Sequence, residues 1–133
     1  MNPIAVRGFL FNVKDKPKKF KPQRKKNLDR ILVFDTETTN DQYQNLTFGS
    51  FVVKNKNVTE IEGIFYNPDI IDGKELKELE TYCRTKSIRL FTREMFVDNI
   101  FYPLVHKREY TCVGFNLSFD LSRIVIKYGY ARG

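Results

Sequence analysis

Apolar positions in the first half of this chain come in short continuous or alternating runs. Ile31-Leu32-Val33-Phe34 leads straight into Asp35-Thr36-Glu37-Thr38-Thr39. Apolar runs of β-branched and aromatic residues predict a buried strand here. Leu46 to Val53 and Val58 to Tyr66 predict two more strands, joined at Asn55-Lys56-Asn57, a hairpin signal without glycine. Asn67-Pro68-Asp69 ends the third strand. From Asp72 the period lengthens. Leu76, Leu79 and Cys83 form the apolar stripe of a helix over 72–83, with its glutamates on the solvated face. A short extended piece, 88–91, precedes a second helix over 93–106, capped by Thr92, with Met95, Phe96, Ile100 and Leu104 inward. Residues 111–116 read as a short buried strand. After it, Leu117, Leu121, Ile124 and Val125 fall at helical spacing, with Ser118 as N-cap and Asp120 in the first turn. Tyr128 and Tyr130 read as packing groups on that last helix. Residues 4–6 and 9–13 suggest a short strand or hairpin docking on the main sheet.

On a strand, side chains alternate between faces, so Asp35 and Glu37 share one face and Thr36 takes the other. Two carboxylates ending a buried strand repel each other and are costly to desolvate. A divalent cation with hard oxygen ligands offsets that cost. A bare D-x-E is more often a strand end leaving the core for water. A third acid strengthens the cation reading, because a strand turning into a helix at Asp120 can bring that acid to the sheet edge beside the first pair.

Composition narrows the class. The chain has 133 residues, one domain's worth, with 41% hydrophobic and 14% aromatic residues, which suits a globular fold. Cys83 and Cys112 form no C-x-x-C and read as ordinary buried thiols in a reducing compartment. No run approaches a membrane span, and the first 13 residues lack a leader pattern. The expectation is an intracellular protein with no membrane partner. Charge is concentrated. Lys14, Lys16, Lys18, Lys19, Lys21, Arg24, Lys25 and Lys26 face one acid, Asp15, and account for the whole net charge of +7. Pro17 and Pro22 break any helix there. This stretch is either a phosphate-binding arm, through Lys18, Lys19, Lys21, Arg24, Lys25 and Lys26, or a solubilising or localisation-like tail. The organisation expected is an amino-terminal segment and arm over 1–27 and a domain over 28–133. His106, the single histidine, reads as a surface residue near a helix end.

Phe34-Asp35-Thr36-Glu37-Thr38-Thr39 resembles the first motif of the DEDD superfamily of 3′–5′ exonucleases, which includes the proofreading parts of DNA polymerases. Gly114-Phe115-Asn116-Leu117-Ser118-Phe119-Asp120 resembles its second motif, with Phe115 where His or Tyr is usual. The resemblance implies an α/β, ribonuclease H-like mixed sheet, three antiparallel strands then a parallel strand, flanked by helices and truncated after the motif-two helix. It implies Asp35, Glu37 and Asp120 as catalytic metal ligands for Mg²⁺ or Mn²⁺ in a two-metal site. It implies Thr36, Thr38, Thr39, Asn116 and Phe119 at the substrate, a nucleic acid and above all a single-stranded DNA 3′ end. No third motif follows Asp120, so the fourth carboxylate and general base are absent and the second metal would be poorly held. The expectation is an exonuclease-like domain, incomplete and weakly active alone. It is either the amino-terminal part of a longer chain such as a polymerase, or one completed by a partner chain. The alternative is a catalytically inactive nucleic-acid-binding module on the same fold.

Overall fold

The apolar run before Asp35 becomes an interior strand of the main sheet. The computed structural model describes residues 5–8, 28–125 and 127–130. Strand β1 is Ala5–Gly8, β2 is Arg30–Thr38, β3 is Leu46–Asn55 and β4 is Val58–Tyr66. Helix α1, Gly73–Lys86, and strand β5, Arg89–Thr92, follow. Helix α2, Arg93–Phe96, runs directly into a π-helical stretch, Val97–Lys107. Then come β6, Thr111–Val113, α3, Leu117–Ile124, and β7, Lys127–Tyr130.

The main sheet has five strands in the order β5-β4-β3-β2-β6. Strands β2, β3 and β4 form an antiparallel meander, while β6 joins β2 and β5 joins β4 in parallel. The architecture is thus α/β with a mixed sheet. Strand β1 does not dock on this sheet. It pairs with β7 in a separate two-stranded parallel sheet. Residues 127–130, expected on the last helix, are therefore strand. Residues 9–13 and the basic stretch 14–26 lie outside the described residues.

One face of the sheet carries Leu32, Phe34, Phe51, Val53 and Phe65, all buried. Phe96, Val97, Ile100, Phe101 and Leu104 cover it from the second helix, and Ile124 covers it from α3. Met95, expected inward, is exposed instead. The buried positions of this helix repeat every four residues, as Phe96, Ile100 and Leu104 do, a longer period than the 3.6 of an α-helix. That longer period suits the wider π-helical winding, which also accommodates Pro103. Asp72 caps α1 with a full capping box, Glu75 bonding back to the Asp72 amide. Glu75 is therefore part of the helix start rather than a merely solvated face. His106 is exposed, its ring stacked on Tyr102 at 4.9 Å. Among the described residues no helix is long and apolar enough to cross a membrane.

Gly49 sits opposite Thr36 in the β2–β3 register. A Cβ there would lie 2.6 Å from the Asp35 carbonyl oxygen and would overlap the Phe65 ring. Gly49→Ala is expected to destabilise the domain by about 1–3 kcal/mol through overpacking, read as a lowered urea midpoint. An unchanged midpoint would mean that the meander yields freely at this point.

Candidate carboxylate site at the end of the second strand

Alternation along β2 places the motif residues as the sequence predicts. Asp35 and Glu37 are exposed, and Thr36 between them is buried. A register shift between Glu37 and Thr38 marks a bulge at this strand end. Bulges re-aim side chains and occur often beside active sites. Thr47 donates its hydroxyl to the Glu37 carbonyl at 2.9 Å, fixing the backbone of the second acid.

Strand β6 ends in register with Val33, so β2 runs on past it with an open edge. Asp120 closes that edge. Its Oδ1 accepts from the Thr36 amide at 3.2 Å and from the Thr36 hydroxyl at 2.7 Å. The Thr36 nitrogen is one peptide unit from the Asp35 Cα. Given the 3.2 Å hydrogen bond, Asp120 Oδ1 stands within about 6 Å of that Cα. The structure therefore brings the third acid to the residue between the other two. Asp120 is 1% exposed, and its Oδ2 is buried with no hydrogen-bond partner. An unpartnered buried carboxylate oxygen is costly.

Ser118 is not the cap of α3. The N-cap is Asn116, whose carbonyl accepts from the amides of Phe119 and Asp120 while its side chain makes no capping bond. The strand over 111–116 is also shorter and less buried than expected. It stops at Val113, and Phe115 is fully exposed at 105% relative accessibility. Sequence reasoning does not foresee the exposure of Phe115. The one signal for it is an aromatic at a strand-to-helix turn, where burial has no partner. Tyr43, in the loop after β2, is also largely exposed.

Thr38 is half-buried at the bulge. Thr39 holds the loop together. Its hydroxyl donates to Asp41 Oδ1 at 2.7 Å and accepts from the Asn45 amide at 3.0 Å. That hydroxyl is the main reason the Asp41 carboxyl is held below its ordinary pKa. Phe119 is half-buried with the Arg123 guanidinium 4.7 Å over its ring. The six basic residues of the arm lie outside the described residues.

On the acidic face, Asp35 neighbours Ser50 and Glu37 neighbours Phe48 across the β2–β3 pairing. Phe48 and Ser50 in turn floor a groove of about 620 Å³, walled by Ile64, Ile71, Leu79 and Tyr82. An apolar recess of this size, adjoining two exposed acids, is within the range of small-molecule sites.

Two observations bear on whether a divalent cation fits here. All three acids offer hard oxygen donors at one strand end, and Asp120 Oδ2 is a buried oxygen that lacks a partner. Among the described residues no three His, Cys, Asp or Glu side chains are already gathered around one point.

Cys112 lies beside Asp120. Burial, and next the Asp120 charge, push its thiol up from 9.0 to about 11. Burial also raises Cys83. Between the ordinary and the raised value the folded chain holds a proton that the unfolded chain releases, so this contribution to stability is lost as pH climbs from 9.0 toward about 11. At pH 8 the Cys112 thiolate is much scarcer than in an unfolded chain. Iodoacetamide should therefore label Cys112 slowly. Asp120→Asn should speed that labelling by removing the neighbouring charge. Equal rates in the two proteins would show that the Asp120 carboxylate does not act on this thiol. No family model, no curated protein and no solved structure matches this chain.

Proposed function

We propose that this chain is a ribonuclease H-like, DEDD-type 3′–5′ exonuclease domain that engages a single-stranded nucleic-acid end. Asp35, Glu37 and Asp120 would hold Mg²⁺ or Mn²⁺. The observation that carries the reading is the Asp120–Thr36 lock, which joins the two motifs and leaves Asp120 Oδ2 buried without a partner. In such a site a bound divalent cation supplies charge neutralisation at the scissile phosphate and an acidified water.

The chain's own residues do the rest. Thr36 fixes the orientation of the Asp120 carboxylate through its amide and hydroxyl. Thr38, at the register shift, and Thr39, bonded to Asp41 and Asn45 in the following loop, would border the terminal nucleotide. Phe115, fully exposed beside Asn116, offers a face on which an unpaired base stacks. The groove beyond Phe48 and Ser50 gives room for a base next to the acids. The basic stretch 14–26 would neutralise phosphates along the strand. A general base typically contributes 10²–10⁴-fold. The sequence after Asp120 holds no Asp, Glu or His to serve as one, so hydrolysis by this chain alone should be slow. A segment or partner chain supplying the third motif would restore it.

A second reading is favoured by one observation. Three acids are not gathered around one point among the described residues. That suits a nucleic-acid-binding module without catalysis.

The test uses a 5′-labelled single-stranded oligonucleotide with Mn²⁺. The nuclease reading expects stepwise shortening from the 3′ end, lost in Glu37→Ala. Tight binding without shortening favours the binding module. Binding equal in wild type, Asp35→Asn and Phe115→Ala, with no shortening, overturns both.

A further inference from the structure

We propose that Arg123 is a positioning residue: it fastens α3 to the loop after β2 and thereby keeps Asp120 seated on Thr36. The proposal deepens the exonuclease reading, and only its cation readout rests on that reading. Helix α3 has eight residues and no side-chain N-cap bond. Helices this short are marginal in water, so tertiary contacts must seat it. Asp120 and Arg123 stand three residues apart and share a helix face. Asp120 reaches the strand at Thr36. Arg123 Nη1 donates to the carbonyls of Tyr43 at 3.3 Å and Gln44 at 2.6 Å. The same helix face thus grips one β2–loop unit at two points.

The guanidinium is itself held. It lies over the Phe119 ring at 4.7 Å, and its Nε donates to Ser122 Oγ at 3.0 Å. The receiving loop is over-determined. Asp41 Oδ1 accepts from the Tyr43 and Gln44 amides, and Thr39 and Asn45 close the loop base. Gln44 takes a left-handed conformation, φ 46°, without being glycine. A planar, always-charged fork that also stacks suits this double grip, and lysine does not reproduce it. The bland alternative is an ordinary loop tether that affects only global stability.

The experiment compares the full wild-type chain with Arg123→Gln and Arg123→Lys. Amide exchange at Thr36 reports the Asp120 bond directly, and exchange at Val53 reports the sheet. Exchange at Thr36 should rise about tenfold in Arg123→Gln with Val53 unchanged. Arg123→Lys should behave similarly, and it carries the same readout if the glutamine variant does not fold. The half-saturating Mn²⁺ concentration for thermal stabilisation should also rise. In an Asp120→Asn background Arg123→Gln should add nothing to that loss. Unchanged Thr36 exchange, or equal acceleration at Thr36 and Val53, overturns the positioning role. Absence of any Mn²⁺ response in the wild type would instead sink the cation reading, while the exchange result still decides Arg123.

Discussion

Phe96→Ala should lower stability by about 3–5 kcal/mol, the largest loss expected of any single truncation in this core. Phe96 is fully buried at the hub of the aromatic core. Its ring stacks on Phe65 at 4.1 Å and 9°, and lies 5.0 Å from Phe51 and 5.9 Å from Phe34. Truncation removes the transfer free energy of the ring and leaves a cavity that the neighbouring side chains cannot easily fill. Aromatic pairs add about 0.5–1.5 kcal/mol each beyond the buried area. Domains of this size hold about 5–15 kcal/mol in total, so the variant should melt at least about 10 °C lower or fail to fold. Phe96→Leu, closer in volume, should lose less. A melting temperature within a few degrees of wild type would show that the helix over 93–107 is not the lid of the core.

Asp120→Asn is expected to separate stability from function. The asparagine oxygen can still accept from the Thr36 amide and hydroxyl, while the uncompensated charge beside Oδ2 is gone. In chelator the variant should therefore melt at or above the wild-type temperature. Asp120→Ala behaves differently, because it strands the Thr36 donors at about 1–3 kcal/mol per group. If the three acids hold the ion, the ranking should reverse with Mn²⁺: a cation at 100 times its Kd would stabilise the wild type by about 2.7 kcal/mol, and the asparagine variant should gain little of this.

The strands are the most legible part of the sequence. Strand β4 falls on the predicted 58–66, and β2 and β3 differ from prediction only at their ends. Their apolar runs are bounded by turn residues, which leaves little freedom. The capping box of α1 is written in the sequence as D-x-x-E, Asp72 with Glu75, yet amphipathicity alone assigns that glutamate to solvent. The π-helical stretch is less accessible, because a period near four and a period of 3.6 diverge slowly over three turns. Met95 is expected inward on apolar character alone; at 3.6 residues per turn it already lies off the stripe of Phe96, Ile100 and Leu104. Alternation correctly puts Asp35 and Glu37 on one face. It carries no information on the Thr36–Asp120 lock, which spans 84 residues. That contact exists because β6 stops early and leaves an edge to be satisfied, a fact of topology rather than of local pattern. Apolar character suggests a buried strand position for Phe115, and the turn exposes it.

Isothermal titration of Mn²⁺ into the chelator-treated chain tests most directly whether the three distant acids share one ion. The wild type should show saturable binding, and Asp35→Asn and Asp120→Asn should each abolish it although neither unfolds the chain. Binding that is undiminished in Asp120→Asn, or absent from the wild type, would contradict a shared site.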